Sequence, residues 1–487
     1  MTAQTILPAN SVSDTGIVSN SLRFNDGDSP ALTRSLGTAS STQKGTFSFW
    51  VKRGQLTTAQ FIYSNEVADD NNRGYIQFED DDTLRIVDSV GGSNQILYKT
   101  ATLFRDVGSW YHIVISFDTT AAGGARIKVY KNGTRIPDAQ FGTSTEPNQN
   151  ANLKLLTGGQ TNKNHISKVH GGSGHFDGYL SEFVFCDGQV LDADDFGEFD
   201  SDSPTHWKPK DIKAASLTYG NMGFYLDFEN SAALGNSAIN SNHFGTVTNL
   251  AATDQSTDTC TNNFATLNPL GSSIDTTNNV LKEGNLQVDH GDGNYDGGTA
   301  TFGFLDNMSG KWYWEVRNNA NTGSSNQGEF AGIAYIGSAS STVYDDFGTE
   351  SYLLATTGSN IIYKKDNSAI WTLTDPSGFS AGDIINVALD LDNNKIWFGL
   401  NGTFYDMSDG STDGDPTGSN GATVSRDYDY LPYYRIVGNT AQLDFNFGSP
   451  AFAISSGNSD ANGHGNFEYA VPSGYFALNT KNLAEHG

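Results

Sequence analysis

Between Gly382 and Tyr405 apolar and polar positions alternate with the period of two that marks a strand buried on one face. Ile385, Val387, Leu389 and Leu391 fall on one side, and Ile384, Asn386, Ala388 and Asp390 on the other. Asp392-Asn393-Asn394 supplies turn chemistry, because Asn and Asp tolerate positive φ. A second strand sets Ile396, Phe398 and Leu400 against Lys395, Trp397 and Gly399, and Asn401-Gly402 closes it with a strong hairpin signal. An earlier stretch repeats the design. Residues 110–118 alternate, and after a Gly-rich loop Arg126-Ile127-Lys128-Val129-Tyr130-Lys131-Asn132-Gly133-Thr134 has the order of Lys395 to Thr403: basic, Ile, any, apolar, any, any, Asn-Gly-Thr. Two units of one design predict two β-domains of related architecture.

Other alternating runs support the same reading. Residues 21–24, 45–52, 61–63, 74–78, 83–87 and 178–185 predict short strands at regular spacing in the first half, the pattern of a sandwich or jelly roll. In the second half, residues 310–316, 330–334, 431–435 and 443–448 do the same. No amphipathic helix is expected beyond a turn or two near Leu191 to Phe199. The expectation is an all-β chain with two antiparallel, jelly-roll-like sandwiches and an ordered, mostly irregular connector. Its parts are an N-terminal arm (1–16), a first sandwich (17–200), a connector (201–278), a second sandwich (279–480) and a tail (481–487). The connector is expected to be rigid, because Trp207, Phe224, Tyr225 and Phe228 sit among residues too polar for an independent core and must bury elsewhere. Ile6 and Leu7 of the arm lack local partners, which suggests docking on a neighbour.

Composition narrows the function. The 487 residues carry a formal net charge of −27, which opposes nucleic-acid binding and favours solubility. Fifty-four Gly and 12% aromatics suit an all-β chain with long loops. Cys186 and Cys260 are too few for a disulfide framework; Cys186 is expected in a strand and Cys260 in a polar loop. The first residues lack the basic and apolar regions of a signal peptide, and no apolar run has transmembrane length, so synthesis in a cytoplasm and no membrane insertion are expected. Both Asn-Gly-Thr triplets match a glycosylation sequon but are already explained as turns.

In the first half, the order F-S-F-W-V-K, W-Y-H-I-V-I-S-F-D, I-K-V-Y-K-N-G and F-D-G-Y-L-S-E-F-V-F resembles a laminin-G/concanavalin A-like jelly roll (LamG) over residues 17–195. The resemblance implies structural roles for Trp110 and His112. In the second half, K-W-Y-W-E-V, G-I-A, the hairpin, L-P-Y and F-N-F-G resemble a SPRY domain, also a two-sheet sandwich. The phrases D-G-Q-V-L-D-A-D-D-F-G-E, W-K-P-K, G-F-Y-L-D-F and T-N-N-F-A-T-L-N-P-L, with the ending V-P-S-G-Y-F-A-L-N-T, resemble virion structural proteins of tailed bacteriophages, especially marine ones.

Candidate chemistry is sparse. Glu79-Asp80-Asp81-Asp82 could supply the hard oxygens calcium takes, and some LamG-like domains bind it, but the run sits between two strands without a calcium-type loop; an acidic hairpin tip is the better reading and no cofactor is predicted. His165, His170 and His175 lie in a Gly-rich stretch that reads as a polar loop. No catalytic motif occurs, so catalytic and metal residues are none and no enzyme is expected. Recognition by loop aromatics remains, with Tyr344, Trp371, Tyr428 and Tyr430 as candidates outside the predicted strands; capping of the core ends is their structural alternative. The resemblances imply a phage virion protein, a tail fibre or appendage binding a host-surface glycan or protein. A head or neck decoration protein is the alternative, and a carbohydrate-active enzyme with a lectin-like domain the third reading. Partners would be other virion proteins and further copies of the chain, with a trimer favoured.

Overall fold

The computed structural model describes residues 18–487 apart from 70, 159–162, 170, 271–278, 292–294, 321–327, 336–349, 358, 367, 376–378 and 438–439. The N-terminal arm, with Ile6 and Leu7, lies outside the described residues. The chain is all-β, with one α-helix among the described residues, and it divides into two compact units at Asn262/Asn263.

The first unit is a sandwich of two eight-stranded sheets. One runs in the order Thr134–Arg135, Ile127–Lys131, Tyr111–Asp118, Lys44–Arg53, Gly178–Asp187, Ser21–Phe24 and Gln255–Ser256, with Phe224–Leu226 also paired to Gly178–Asp187. The other runs Phe141–Thr145, Ser93–Leu103, Thr83–Val90, Asn72–Phe78, Gln60–Asp69, Lys163–Ile166, Ala31–Ser35 and Thr246–Thr248. Phe47, Phe49 and Val51 point from Lys44–Arg53 into the shared core with Ile76, Phe78, Leu84 and Ile86. Ser48, Trp50 and Lys52, on the opposite face of the same strand, are buried too. That second burial is the work of the chain after Gln189, which folds back over the outer face of the first sheet and buries Trp207, Ile212, Tyr225 and Cys260 with Trp50 and Trp110.

The segment 201–262, read from sequence as part of a connector, is therefore integral to the first sandwich. Its short strands Phe224–Leu226, Thr246–Thr248 and Gln255–Ser256 extend both sheets. The four aromatics expected to bury do so here, with Trp207, Phe224, Tyr225 and Phe228 all at most 3% exposed. Strands of two or three residues are too short to show a period, which is why polarity read as irregular chain. Cys260, expected in a polar loop, is fully buried in this cover.

The second unit, Asn263–Gly487, packs a nine-stranded sheet on a six-stranded one. The first has Lys311–Ala320 between Ala441–Asn446 and Ile384–Asp390, then Lys395–Leu400. The second includes Tyr430–Val437, Gly328–Tyr335, Ser351–Thr357, Asn360–Lys365 and, at its edge, Ser368–Thr374. Ile385, Val387 and Leu389 face the core with Ile396, Phe398, Trp312 and Trp314, as the alternation requires. The two similar hairpins fold alike: Asn132-Gly133 and Asn401-Gly402 all take left-handed φ (47°, 76°, 51°, 80°), and the following Thr pairs back, Thr134 to Lys131 and Thr403 to Leu400. The turn expected near Leu191 to Phe199 is a 3-10 turn at Ala193–Asp195. The final residues, read as a tail, form the helix Thr480–His486, capped by the Asn479 side chain accepting from Asn482 N at 3.0 Å. Seven residues, about two turns, are too few to announce themselves by periodicity.

Candidate functional site

The two outer faces of the first sandwich differ in kind. The face under the cover is locked. Trp207 Nε1 donates to His112 Nδ1 at 3.0 Å, which leaves the imidazole proton on Nε2 to donate to Ser48 Oγ at 2.9 Å. Trp50 stacks on His112 with centroids 4.6 Å apart. Burial pushes the His112 pKa down to about 3, so the ring stays neutral. Gly133 and Gly197 exist here for contact: a Cβ on either would lie 2.2 or 2.5 Å from the Trp207 ring. Asp258 accepts from Lys52 Nζ at 2.8 Å and from Trp110 Nε1 at 3.1 Å. Trp110 and His112 are thus structural, as the LamG resemblance implies.

The outer face of the other sheet carries different residues. Because Ile76 and Phe78 point into the core, Arg73, Tyr75 and Gln77 point outward. Cross-strand pairing aligns Phe61, Gln77, Arg85 and Lys99 in one row, and Ser64, Tyr75, Val87 and Leu97 in the next. The Phe61 ring meets the Tyr75 ring edge-on at 5.1 Å, and the guanidinium groups of Arg73 and Arg85 lie 5.4 and 6.0 Å from the Tyr75 centroid. Burial raises the Tyr75 pKa, and the two arginines oppose the rise. Arg85 Nη1 donates to Glu79 Oε1 at 2.5 Å, and Lys99 pairs with Asp81 at 2.7 Å. Asp82 is taken up by Arg53 and Arg105. Glu79, Asp81 and Asp82 of the acidic run are thus paired with four cations. Gln77 Oε1 and Arg85 Nε, an acceptor and a donor on cross-strand neighbours, are left without hydrogen-bond partners. Both atoms are shielded from solvent, so a hydroxyl, which can donate to one and accept from the other, reaches the pair only when neighbouring side chains move aside.

In the second sandwich, the outer face of the nine-stranded sheet is also covered. Glu315 is fully buried and accepts from Tyr313 Oη (2.9 Å), Asn446 Nδ2 (3.1 Å), Glu468 N (3.0 Å) and Tyr469 N (2.8 Å). The last two donors belong to the C-terminal stretch, which lies over the sheet with Phe467 edge-on to Tyr313.

Of the four loop aromatics named from sequence, the three among the described residues are buried or partly buried. Tyr344 lies outside the described residues. Trp371, placed from sequence outside the strands, sits within Ser368–Thr374; it is 7% exposed, donates Nε1 to Met407 O at 3.2 Å, and packs on Tyr363 and Tyr405. Tyr430 likewise begins the strand Tyr430–Val437 and is 1% exposed. Tyr428 is partly buried, 4.8 Å from Tyr335. Of the three histidines, His165 bonds Thr33 Oγ1 and His175 bonds Pro30 O, while His170 lies outside the described residues. Among the described residues no three His, Cys, Asp or Glu side chains are placed to hold a metal, and no helix is long and apolar enough to cross a membrane. Arg73, Tyr75, Gln77 and Arg85 were missed because they alternate with core residues inside predicted strands. Their polar spacing was visible in the sequence; that Tyr75 and Gln77 would be only 4% exposed on this face was not.

Residues 25–195 match the Laminin_G_3 family, described as the concanavalin A-like lectin/glucanases superfamily. No curated protein matches the chain. Among solved structures, the SPRY domain of human HERC1 is 19% identical, with 34% of this chain and 91% of that one covered and a TM-score of 0.25. Domains LG4-5 of the mouse laminin alpha1 chain are 11% identical, covering 91% and 93%, at a TM-score of 0.30. The heptameric SAP-like pentraxin of Limulus polyphemus is 18% identical, covering 36% and 78%, at 0.27.

Proposed function

We propose that the chain is a non-catalytic recognition protein that binds glycan on the outer face of the sheet that holds Asn72–Phe78 in its first sandwich. Tyr75 and Gln77 are 4% exposed there, and Arg73 and Arg85 more so. The observation that carries this is the group Arg73, Tyr75, Gln77 and Arg85, an aromatic ring between two guanidinium groups beside an unpartnered acceptor and donor, on a sandwich of the concanavalin A-like class. Rings and planar guanidinium groups suit sugar faces, and paired donors and acceptors suit hydroxyls. Glu79 and Asp81 are each engaged by a cation, which favours binding over hydrolysis, since glycoside cleavage needs two carboxyl groups free to act across one bond. The setting we propose is the particle of a tailed phage, as a fibre or appendage with other virion proteins and further copies of the chain as neighbours, three-fold symmetry favoured. Its support is the virion-protein phrases, of which W-K-P-K and G-F-Y-L-D-F supply Trp207 and Tyr225 of the cover. A decoration protein would use the same cover without glycan binding at Tyr75. The test is a glycan array probed with the full chain and with Tyr75→Ala and Arg85→Ala. Selective binding by the parent and its loss in both variants is expected; binding unchanged in both, or none by the parent, counts against the proposal.

A further inference from the structure

The strand Gly178–Asp187 changes partners at one residue. Ser21–Phe24 pairs with its first half and Phe224–Leu226 with its second, and its register with Lys44–Arg53 slips between Ser181 and Val184. Glu182 stands in that slip, with φ +49°, a conformation that side chains rarely adopt, and with its carboxyl buried beneath the cover. Tyr225 Oη, from the strand Phe224–Leu226, donates to Glu182 Oε2 at 2.6 Å. The charged and titratable groups around it come from several stretches of the cover: Tyr219, Tyr225, Asp227, Glu229, Lys213 and the buried thiol of Cys260. Lys213 is shared between Asp227 at 3.0 Å and Glu229 at 2.7 Å, so two further carboxylates already hold the nearby cation.

We propose that Glu182 is a protonation-controlled latch for the cover: as the neutral acid it lets the strand Phe224–Leu226 and the chain around it seat on the sheet, and as the carboxylate it loosens them. The chemistry follows from the setting. A carboxylate here has lost its water, receives one hydrogen bond from Tyr225, and faces two like charges. Burial first, then Asp227 and Glu229, push its pKa up to about 8 against the pull of Tyr225 and Lys213. In an opened cover the same group is solvated and ionises in the ordinary carboxylate range. Opening therefore releases a proton throughout the window between the two values. The opening equilibrium should rise about tenfold per pH unit across that window and level off above the upper value.

Amide hydrogen exchange of Phe224–Leu226 in the full chain, corrected for intrinsic rates and measured from pH 5 to 9, reads this directly. The parent should lose protection with rising pH and reach a plateau near pH 8. Glu182→Gln, which keeps an acceptor for Tyr225 and cannot ionise, should show a flat profile. Tyr225→Phe removes a bond that favours the ionised form, so its loss of protection should extend to higher pH. A parent profile as flat as that of Glu182→Gln, or a sloping Glu182→Gln profile equal to the parent's, overturns the latch. If Glu182→Gln does not fold, a Tyr225→Phe plateau no higher in pH than the parent's overturns it.

Discussion

The two sandwiches solve the same problem with two buried glutamates, and the difference lies in how many donors each receives. Both leave one sheet's outer face to be covered by their own chain, and both place a Glu under that cover. Glu315 accepts four hydrogen bonds, two of them from the backbone of the covering stretch itself. Burial raises its pKa, and all four donors oppose the rise. Glu182 accepts one, from Tyr225, and shares its surroundings with Asp227 and Glu229. The first carboxyl is a clamp and the second a liability at high pH. Burial alone does not decide the role of an acid; the donors aimed at it do.

Truncating the covers should give the largest effects. Trp207→Ala removes a fully buried indole and leaves His112 Nδ1 without its donor, and it should destabilise the first sandwich by about 3–5 kcal/mol. Denaturant unfolding followed by tryptophan fluorescence reads this, and the second sandwich's transition should not move. Glu315→Ala is the mirror experiment. It strands two backbone N–H groups and two side-chain donors, and should cost the second sandwich about 3–4 kcal/mol. Equal losses in both transitions from either variant would break the comparison.

A smaller and oppositely signed effect belongs to Glu182→Gln. The folded pKa of Glu182 lies above the ordinary carboxylate value, so the parent bears no penalty below pH 4, an increasing one from about 4.5 to 8, and the full one beyond. The variant should match the parent at pH 4 and exceed it by about 2–4 kcal/mol at pH 8, by thermal or chemical unfolding at each pH. The corresponding Glu315→Gln should destabilise at both, because the amide cannot accept from four donors as well as the carboxylate or acid does.

How far this was legible in the sequence differs between faces of the same strand. The run Phe47-Ser48-Phe49-Trp50-Val51-Lys52 showed its core side through Phe47, Phe49 and Val51. It did not show that Trp50 and Lys52 are buried as well, since that depends on Trp207 and Asp258, some 150 to 200 residues on, folding back over them. The Asn-Gly turns were readable because their constraint is local: two residues must take positive φ. Trp371 was misplaced for the opposite reason, as an edge strand of mixed Ser, Ala and Thr carries little periodic signal. Tyr430 was misplaced because it lies one residue outside the predicted run 431–435, at a strand end that a period does not define. The site residues were visible only as the polar half of an alternation, and the choice between two polar halves required the topology.

The smallest expected effect is on recognition. Arg85→Ala should weaken glycan binding about tenfold without moving either unfolding transition by more than about 0.5 kcal/mol, since Arg85 is partly exposed and its partner Glu79 can turn to solvent.

Hydrogen exchange of the full chain, with and without the glycan selected on the array, tests most directly whether the face of the first sandwich that carries Tyr75 is the recognition surface. The expected result is added protection in Asn72–Phe78 and Thr83–Val90, the strands that carry Arg73, Tyr75, Gln77 and Arg85, with the covered faces unchanged. Protection confined to the second sandwich, or to the cover over Trp207, would contradict it.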